Sequence, residues 1–166
     1  MTTNKFEQSL ENGPHKQLQQ LLGHWKGNTK TWFEKDVLAD ESSAEVTITS
    51  LFGGRFISLD YHSSLEGKPF EGKMVIGFDI PYKRFTSSWI DSFHMGTQIM
   101  LSSGESKGNG FSVLGSYGNP EYGEALWGWR TEIQFLSDKE FSLTAFNISP
   151  EGEEAKATET FYKRVG

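Results

Sequence analysis

The feature that most constrains this chain is a change of period at Gly23-His24-Trp25. Before it, Leu18, Leu21 and Leu22 recur at i, i+3 and i+4 behind Pro14, which suits a first helical turn, so a short helix is expected from Pro14 to Leu22. Gly23 is placed to stop that helix. Beyond it the apolar residues alternate with polar ones, and strands are expected at 24–33, 43–52, 54–64, 68–80, 83–91, 95–103, 109–117, 125–136, 140–148 and 154–164. The breaks carry turn chemistry, among them Gly53-Gly54, Glu66-Gly67-Lys68, Pro81-Tyr82, Gly118-Asn119-Pro120 and Pro150-Glu151-Gly152. Hairpin spacing with no room for crossover helices implies an antiparallel meander. About ten strands in one open sheet would leave two long edges, and closure removes them. The expected fold is therefore all-β, a single antiparallel up-and-down barrel of about ten strands (lipocalin-like) with a short N-terminal helix.

In such a barrel the last strand lies beside the first. Gly23 and Trp25 then meet Arg164, whose guanidinium can lie flat on the indole and bond strand-end carbonyls, closing the barrel at that end. The chain of 166 residues suits one domain, with residues 1–12 read as a flexible N-terminus and 13–166 as the barrel. Thirteen Phe, five Trp and five Tyr favour strands and a large aromatic core.

The bulk chemistry excludes several functions. The formal charge of −6 repels phosphate backbones, so nucleic acid is not an expected partner. Without cysteine the chain has no disulfide, thiolate metal site or thiol nucleophile, and it suits a reducing compartment. Met1 to Gln20 shows no apolar signal-peptide core, and no stretch approaches the roughly 18 apolar residues of a spanning helix, so no membrane partner is expected. The expected location is the cytoplasm. The histidines His15, His24, His62 and His94 fall in separate segments without metal-ligand spacing, so no metal is expected, and the sequence has no Gly-x-Ser-x-Gly element. The Gly53-Gly54 pair reads as a hairpin apex that supplies positive φ.

Two segments look like sites. In Trp89-Ile90-Asp91-Ser92-Phe93-His94, strand alternation puts Trp89 and Asp91 on one face. If that face is inward, the carboxylate needs a partner. His94 is nearest in sequence, with Arg84 or Arg130 as alternatives, and an Asp–His pair can act as a base or a ligand anchor. The bland reading is a strand end, with Asp91 and Ser92 capping a turn and His94 solvated. In Leu59-Asp60-Tyr61-His62, Asp60 and His62 share a face with Phe56 and Ser58. Facing inward they would be pocket polars, and facing outward they are solvent residues. Trp129, on an alternating strand with Trp127, Ile133 and Phe135, is expected to join the lining.

Taken in order, Pro14-His15-Lys16-x-Leu18-x-x-Leu21-Leu22-Gly23-x-Trp25, Gly53-Gly54-Arg55-Phe56, Phe70-x-Gly72 with Gly77-Phe78-Asp79, Trp89-Ile90-Asp91-Ser92 and Tyr162-x-Arg164 resemble the bacterial family numbered 1579 among domains of unknown function. The resemblance runs from about residue 14 to residue 165. It implies a lipocalin-like (calycin) barrel and assigns no function. The architecture is also similar to nitrobindin, a ten-stranded barrel that holds haem through a histidine near its C-terminus. No histidine follows His94 here, so that ligand has no matching position, haem is disfavoured and no cofactor is expected.

The favoured function is a cup that binds a small, mostly apolar molecule, with Asp60, His62, Trp89, Asp91, His94 and Trp129 as candidate ligand-binding residues. One alternative is a small acid–base enzyme using an Asp–His pair in the cup, with no catalytic residue assigned. The other is a barrel filled by its own side chains that pairs with a second copy as a homodimer.

Overall fold

A computed structural model describes residues 4–166. Two short helices, α1 (Lys5–Asn12) and α2 (Pro14–Gln19), precede ten strands: β1 (Gly23–Glu34), β2 (Val37–Leu51), β3 (Phe56–Leu65), β4 (Lys68–Asp79), β5 (Arg84–Asp91), β6 (Met100–Gly104), β7 (Gly110–Tyr117), β8 (Trp127–Ser137), β9 (Glu140–Ile148) and β10 (Glu154–Arg164). Each strand pairs antiparallel with its sequence neighbour, and β10 returns to β1, so the sheet is a closed barrel. Closure leaves no open sheet edge, as the alternating sequence requires.

Three boundaries differ from expectation. Residues 5–12, read as part of a free tail, form α1 because Asn4 caps Phe6 N–H and Phe6 packs edge-on to His15. Residues 1–3 of that tail lie outside the described residues. β2 begins at Val37 rather than at residue 43, and its first residues, the exposed Val37, Leu38 and Ala39 followed by Asp40, Glu41 and Ser42, stand at the solvated rim without an apolar–polar alternation. β6 begins at Met100 rather than at 95, since the chain from Ser92 to Ile99 leaves the ladder and forms a loop.

The register fixes what lies at each end. The start of β1 meets the end of β10 and the end of β2, with Trp25 opposite Arg164 and Val46. At this floor the interior is solid. Trp25, Phe85, Phe111 and Phe141 are fully buried, Phe85 stacks on Phe111 at 4.2 Å, and Phe141 meets the Trp25 indole edge-on at 4.7 Å. Leu18 and Leu21 from the helical segment complete the plug. Arg164 lies over the Trp25 ring at 4.1 Å. Its guanidinium donates to the carbonyls of Leu22, Gln20 and Asp138, while Trp25 Nε1 donates to the Leu21 carbonyl at 2.8 Å. Gly23, at φ 130°, has no room for a side chain, because an added Cβ would stand 2.7 Å from the Arg164 guanidinium. These contacts seal the floor by tying the helical segment, the first strand and the last strand together.

The hairpin turn between β2 and β3 has Gly53 and Gly54 at positive φ, 69° and 96°. Gly54 sits under Leu10 and its carbonyl accepts from Gln19 Nε2, so this turn also serves as the seat of the two helices.

Candidate ligand-binding site

The opposite half of the barrel is built from smaller residues. Where the floor has Phe and Ile, the inward positions here carry Thr29, Ala44, Thr131, Ala145, Thr158 and Thr160, and a cavity of about 80 Å³ opens between them. Its larger walls are Leu59, Tyr61, Phe70, Met74, Trp89, Trp129 and Tyr162. Trp89 from β5 and Trp129 from β8 face each other nearly parallel, 5.6 Å apart and 18° from coplanar. Both take their inward direction from strand alternation, on strands separated in the sheet by β6 and β7.

His94 closes the cavity from the loop after β5, and Asp91 fixes it. The Asp91 side chain is completely buried, and four groups donate to it. Oδ1 accepts from the backbone N–H of Phe93 at 2.9 Å and of His94 at 2.6 Å. Oδ2 accepts from the Tyr61 hydroxyl at 3.0 Å and pairs with His94 Nδ1. Tyr61 in turn accepts from Trp89 Nε1 at 2.6 Å. Burial raises the Asp91 pKa, but the His94 bond and charge and the two backbone donors outweigh it, and the carboxyl is held below its ordinary range. Burial first, and then the neighbouring carboxylate, push the Tyr61 hydroxyl strongly upward, so it stays a donor.

Asp91 makes the turn contacts of the strand-end reading and also contacts the His94 ring. Its Oδ1 makes the turn that pulls residues 92–94 out of the ladder, and its Oδ2 orients the imidazole delivered by that turn. Arg130, an alternative partner, points outward to Glu132 and Glu154. Arg84 is exposed at the far end of β5, over Tyr82.

Asp60 and His62 do not line the cavity, and Asp91 does not line it either but stands behind Tyr61 and His94. On β3 the inward residues are Ile57, Leu59, Tyr61 and Ser63, while Asp60 pairs with Lys73 at 3.2 Å and His62 faces Glu45 at 3.3 Å on the outer wall. Both border an external groove with Glu71, Lys73 and Ile90. The apolar Phe56 on their face suggested an inward direction, but it packs against Phe52 outside the barrel and is itself exposed.

Sequence reasoning missed Tyr61 and Gly72. Tyr61 was legible from its parity with Ile57 and Leu59. Gly72, on β4 between Tyr61 and Asp91, had no signal in a strand pattern. A Cβ there would stand 2.3 Å from the Tyr61 hydroxyl and 2.5 Å from Asp91 Cβ, so the absent side chain is what lets the two meet.

The arrangement offers an imidazole to a bound group, but not the room for a tetrapyrrole, which greatly exceeds a cavity of about 80 Å³. Among the described residues no cluster of three or more His, Asp or Glu could hold a metal ion, and no helix is long and apolar enough to cross a membrane.

A family model described as "Protein of unknown function (DUF1579)" matches residues 11–164. The chain belongs to this family. The DUF1579 barrel also superposes on solved structures. The S-type phycobiliprotein lyase CPES from Guillardia theta aligns with a TM-score of 0.62 over 99% of both chains at 12% identity. Rv2717c from M. tuberculosis aligns with a TM-score of 0.61 over 92% of this chain and 98% of that one, at 14% identity. At such identities the likeness is one of fold. The comparison with curated proteins returned no match.

Proposed function

We propose that this DUF1579 barrel binds a small, mostly apolar molecule in the half of the barrel beyond its packed floor. The observation that carries the reading is the cavity itself, walled by Trp89 and Trp129 and bordered by a histidine whose orientation is set by a buried carboxylate. Apolar walls supply affinity and a few fixed polar groups supply orientation, which is the usual division of labour in small-molecule sites. A phycobiliprotein lyase on the same barrel is compatible with this reading. The cytoplasm is the proposed place of binding, a compartment that suits a chain without cysteine.

Native mass spectrometry of protein purified from its own host tests the reading. The expected result is a retained small molecule that is released on denaturation and is absent from an Ala145→Leu variant, whose larger side chain occupies the cavity. Bare protein in both forms, together with no response to added small apolar molecules, would rule the reading out.

A second reading is favoured by the Asp91–His94 pair, which has the geometry of a carboxylate-oriented general base. In that case the cup would hold a substrate whose proton His94 removes. Turnover lost in His94→Gln while the ligand is still retained would select this reading over simple binding.

A further inference from the structure

One stretch of the outer wall differs from its surroundings. On β5, β6 and β7 the outward positions from Thr86 to Ile90, at Leu101 and Ser103, and from Ser112 to Ser116 hold only Thr, Ser, Ile and Leu. The flanking strands carry charges at theirs, Glu71 and Lys73 on β4 and Arg130 and Glu132 on β8. Lys73 is paired with Asp60, and Arg130 with Glu132 and Glu154, so the cations of this rim are already neutralised within the chain. Elsewhere exposed apolar residues stand among charges: Phe33 beside Glu34 and Lys35, Phe56 beside Arg55, and Phe161 between Glu159 and Lys163 on the outward side of β10.

Apolar side chains fill the middle of this uncharged face. Leu101 is 73% exposed and Ile99 65%, while Ile90, Leu114 and Leu126 each stand about half exposed. Leu101 lies beside Ser88 on β5, and Leu114 beside Ser103 on β6. Leu101, Leu114 and Leu126 border one shallow groove, based on Ser116 and Gly128, with Ile148 on its far side. The five exposed residues present roughly 500 Å² of apolar surface, and patches beyond a few hundred Å² mark interaction sites. With the Ser and Thr around them the face approaches the ~800 Å² that each partner buries in a standard interface. Its pattern, an apolar centre depleted of charge inside a polar rim, is that of an interface core. The ridge of Leu101 and Leu114 and the hollow over Gly128 lie side by side, which is what a surface needs to pair with itself about a two-fold axis. The lack of charge also keeps the repulsion of two chains of net charge −6 away from the contact.

We propose that the outer face of β5, β6 and β7, extended by Leu126 and Ile148, is the interface between two copies of this chain, packed sheet on sheet. None of these side chains lines the cavity, so pairing is separable from ligand binding. Ile90 and Ile99 bracket the loop that carries His94, and pairing therefore holds both ends of that loop.

The test begins with the unaltered protein. Sedimentation equilibrium is expected to give twice the 18.7 kDa of the chain, with a Kd of about 1 µM or below. A single 18.7 kDa species up to about 100 µM would overturn the interface. A monomer that instead sediments with phosphatidylcholine vesicles would give the face to a lipid surface and overturn it equally. Leu101→Lys and Leu114→Lys, made separately, each set an ammonium in the contact twice per dimer. Each should raise the Kd by roughly 30-fold or more, the change typical of a central interface residue, with the far-UV circular dichroism unchanged because both side chains are exposed in the single chain. Lysine reduces the net negative charge, so the weakening would not come from general repulsion. If Leu101→Lys disturbs the short β6, Leu114→Lys on the longer β7 carries the same readout. Phe161→Lys on β10, as exposed as Leu114 at 51%, should leave the Kd unchanged. A dimer that keeps its Kd in the folded Leu variants, or one broken by Phe161→Lys instead, would place the contact elsewhere and overturn the interface.

Discussion

The two halves of this barrel are built by the same ten strands with the same alternation, yet one is solid and the other hollow. At the floor the inward positions carry Trp25, Phe85, Phe111, Phe141, Ile57 and Ile76, all buried to 1% exposure or less. Along the same strands, Thr29 follows Trp25, Ala145 follows Phe141, and Leu59 and Tyr61 follow Ile57. Parity decides only that a side chain points inward. Its volume decides whether the interior is a core or a site, and the switch from aromatic to threonine and alanine takes place within one or two inward steps. The polar groups follow the same division. At the floor Arg164 and Trp25 satisfy backbone carbonyls and finish the structure, whereas at the mouth Asp91 gathers donors and leaves a histidine edge available.

If the floor is the stability half, Trp25→Ala should destabilise the protein by about 3–5 kcal/mol, the cost of a large buried aromatic. It would also free the Leu21 carbonyl and remove the seat of the Arg164 guanidinium. Denaturant titration checks this, and a loss below about 1 kcal/mol would remove the distinction between the halves.

Gly72→Ala strikes the mouth without touching the floor. The added methyl displaces the Tyr61 hydroxyl from Asp91, and overpacking of this kind costs about 1–3 kcal/mol. A ¹⁵N spectrum of the imidazoles should show the His94 signals move as Asp91 loses the Tyr61 donor. Equal stability with an intact Tyr61–Asp91 bond would show that the wall yields, and that the glycine is incidental.

Asp91→Asn should cost about 1–2 kcal/mol, since it exchanges charge-assisted bonds for neutral ones. Its pH signature is more informative than its size. The Asp91 pKa is lowered on folding, so the contribution is fully present above the ordinary carboxylate value of 3.8 and is lost as pH falls below it towards the folded value. In thermal melts the wild type should therefore lose more stability than the variant through that acid range. Parallel curves would mean that Asp91 is not linked to folding.

Ala145→Val adds volume where there is space to receive it. Its effect on stability should be within about 1 kcal/mol of zero, whereas retention of any ligand should fall sharply. A strong destabilisation would mean that the mouth is packed like the floor.

Much of this molecule was legible because a strand's period leaves a direct mark. The barrel, the Trp25–Arg164 neighbourhood and the shared parity of Trp89 and Asp91 follow from alternation and from the first and last strands of a closed meander lying side by side. Asp60 and His62 show where the same reasoning fails. Alternation identifies two faces but does not say which is inside when both carry aromatics, and Phe56 lent the outer face an apolar look. Gly72 was silent because its role lies in the volume it does not occupy.

The sequence by itself determined the strand count, the antiparallel order, the acidic charge and the absence of thiol chemistry, since local period, turn residues and composition are properties of the chain. Only the tertiary structure decided that Tyr61, Asp91 and His94 form one hydrogen-bonded set under Trp89, and that Thr29, Thr160 and Ala145, on three adjacent strands, form one wall of a cavity. Those relations join strands far apart in sequence. They depend on register and on the three-dimensional sum of side-chain volumes, neither of which any single segment encodes.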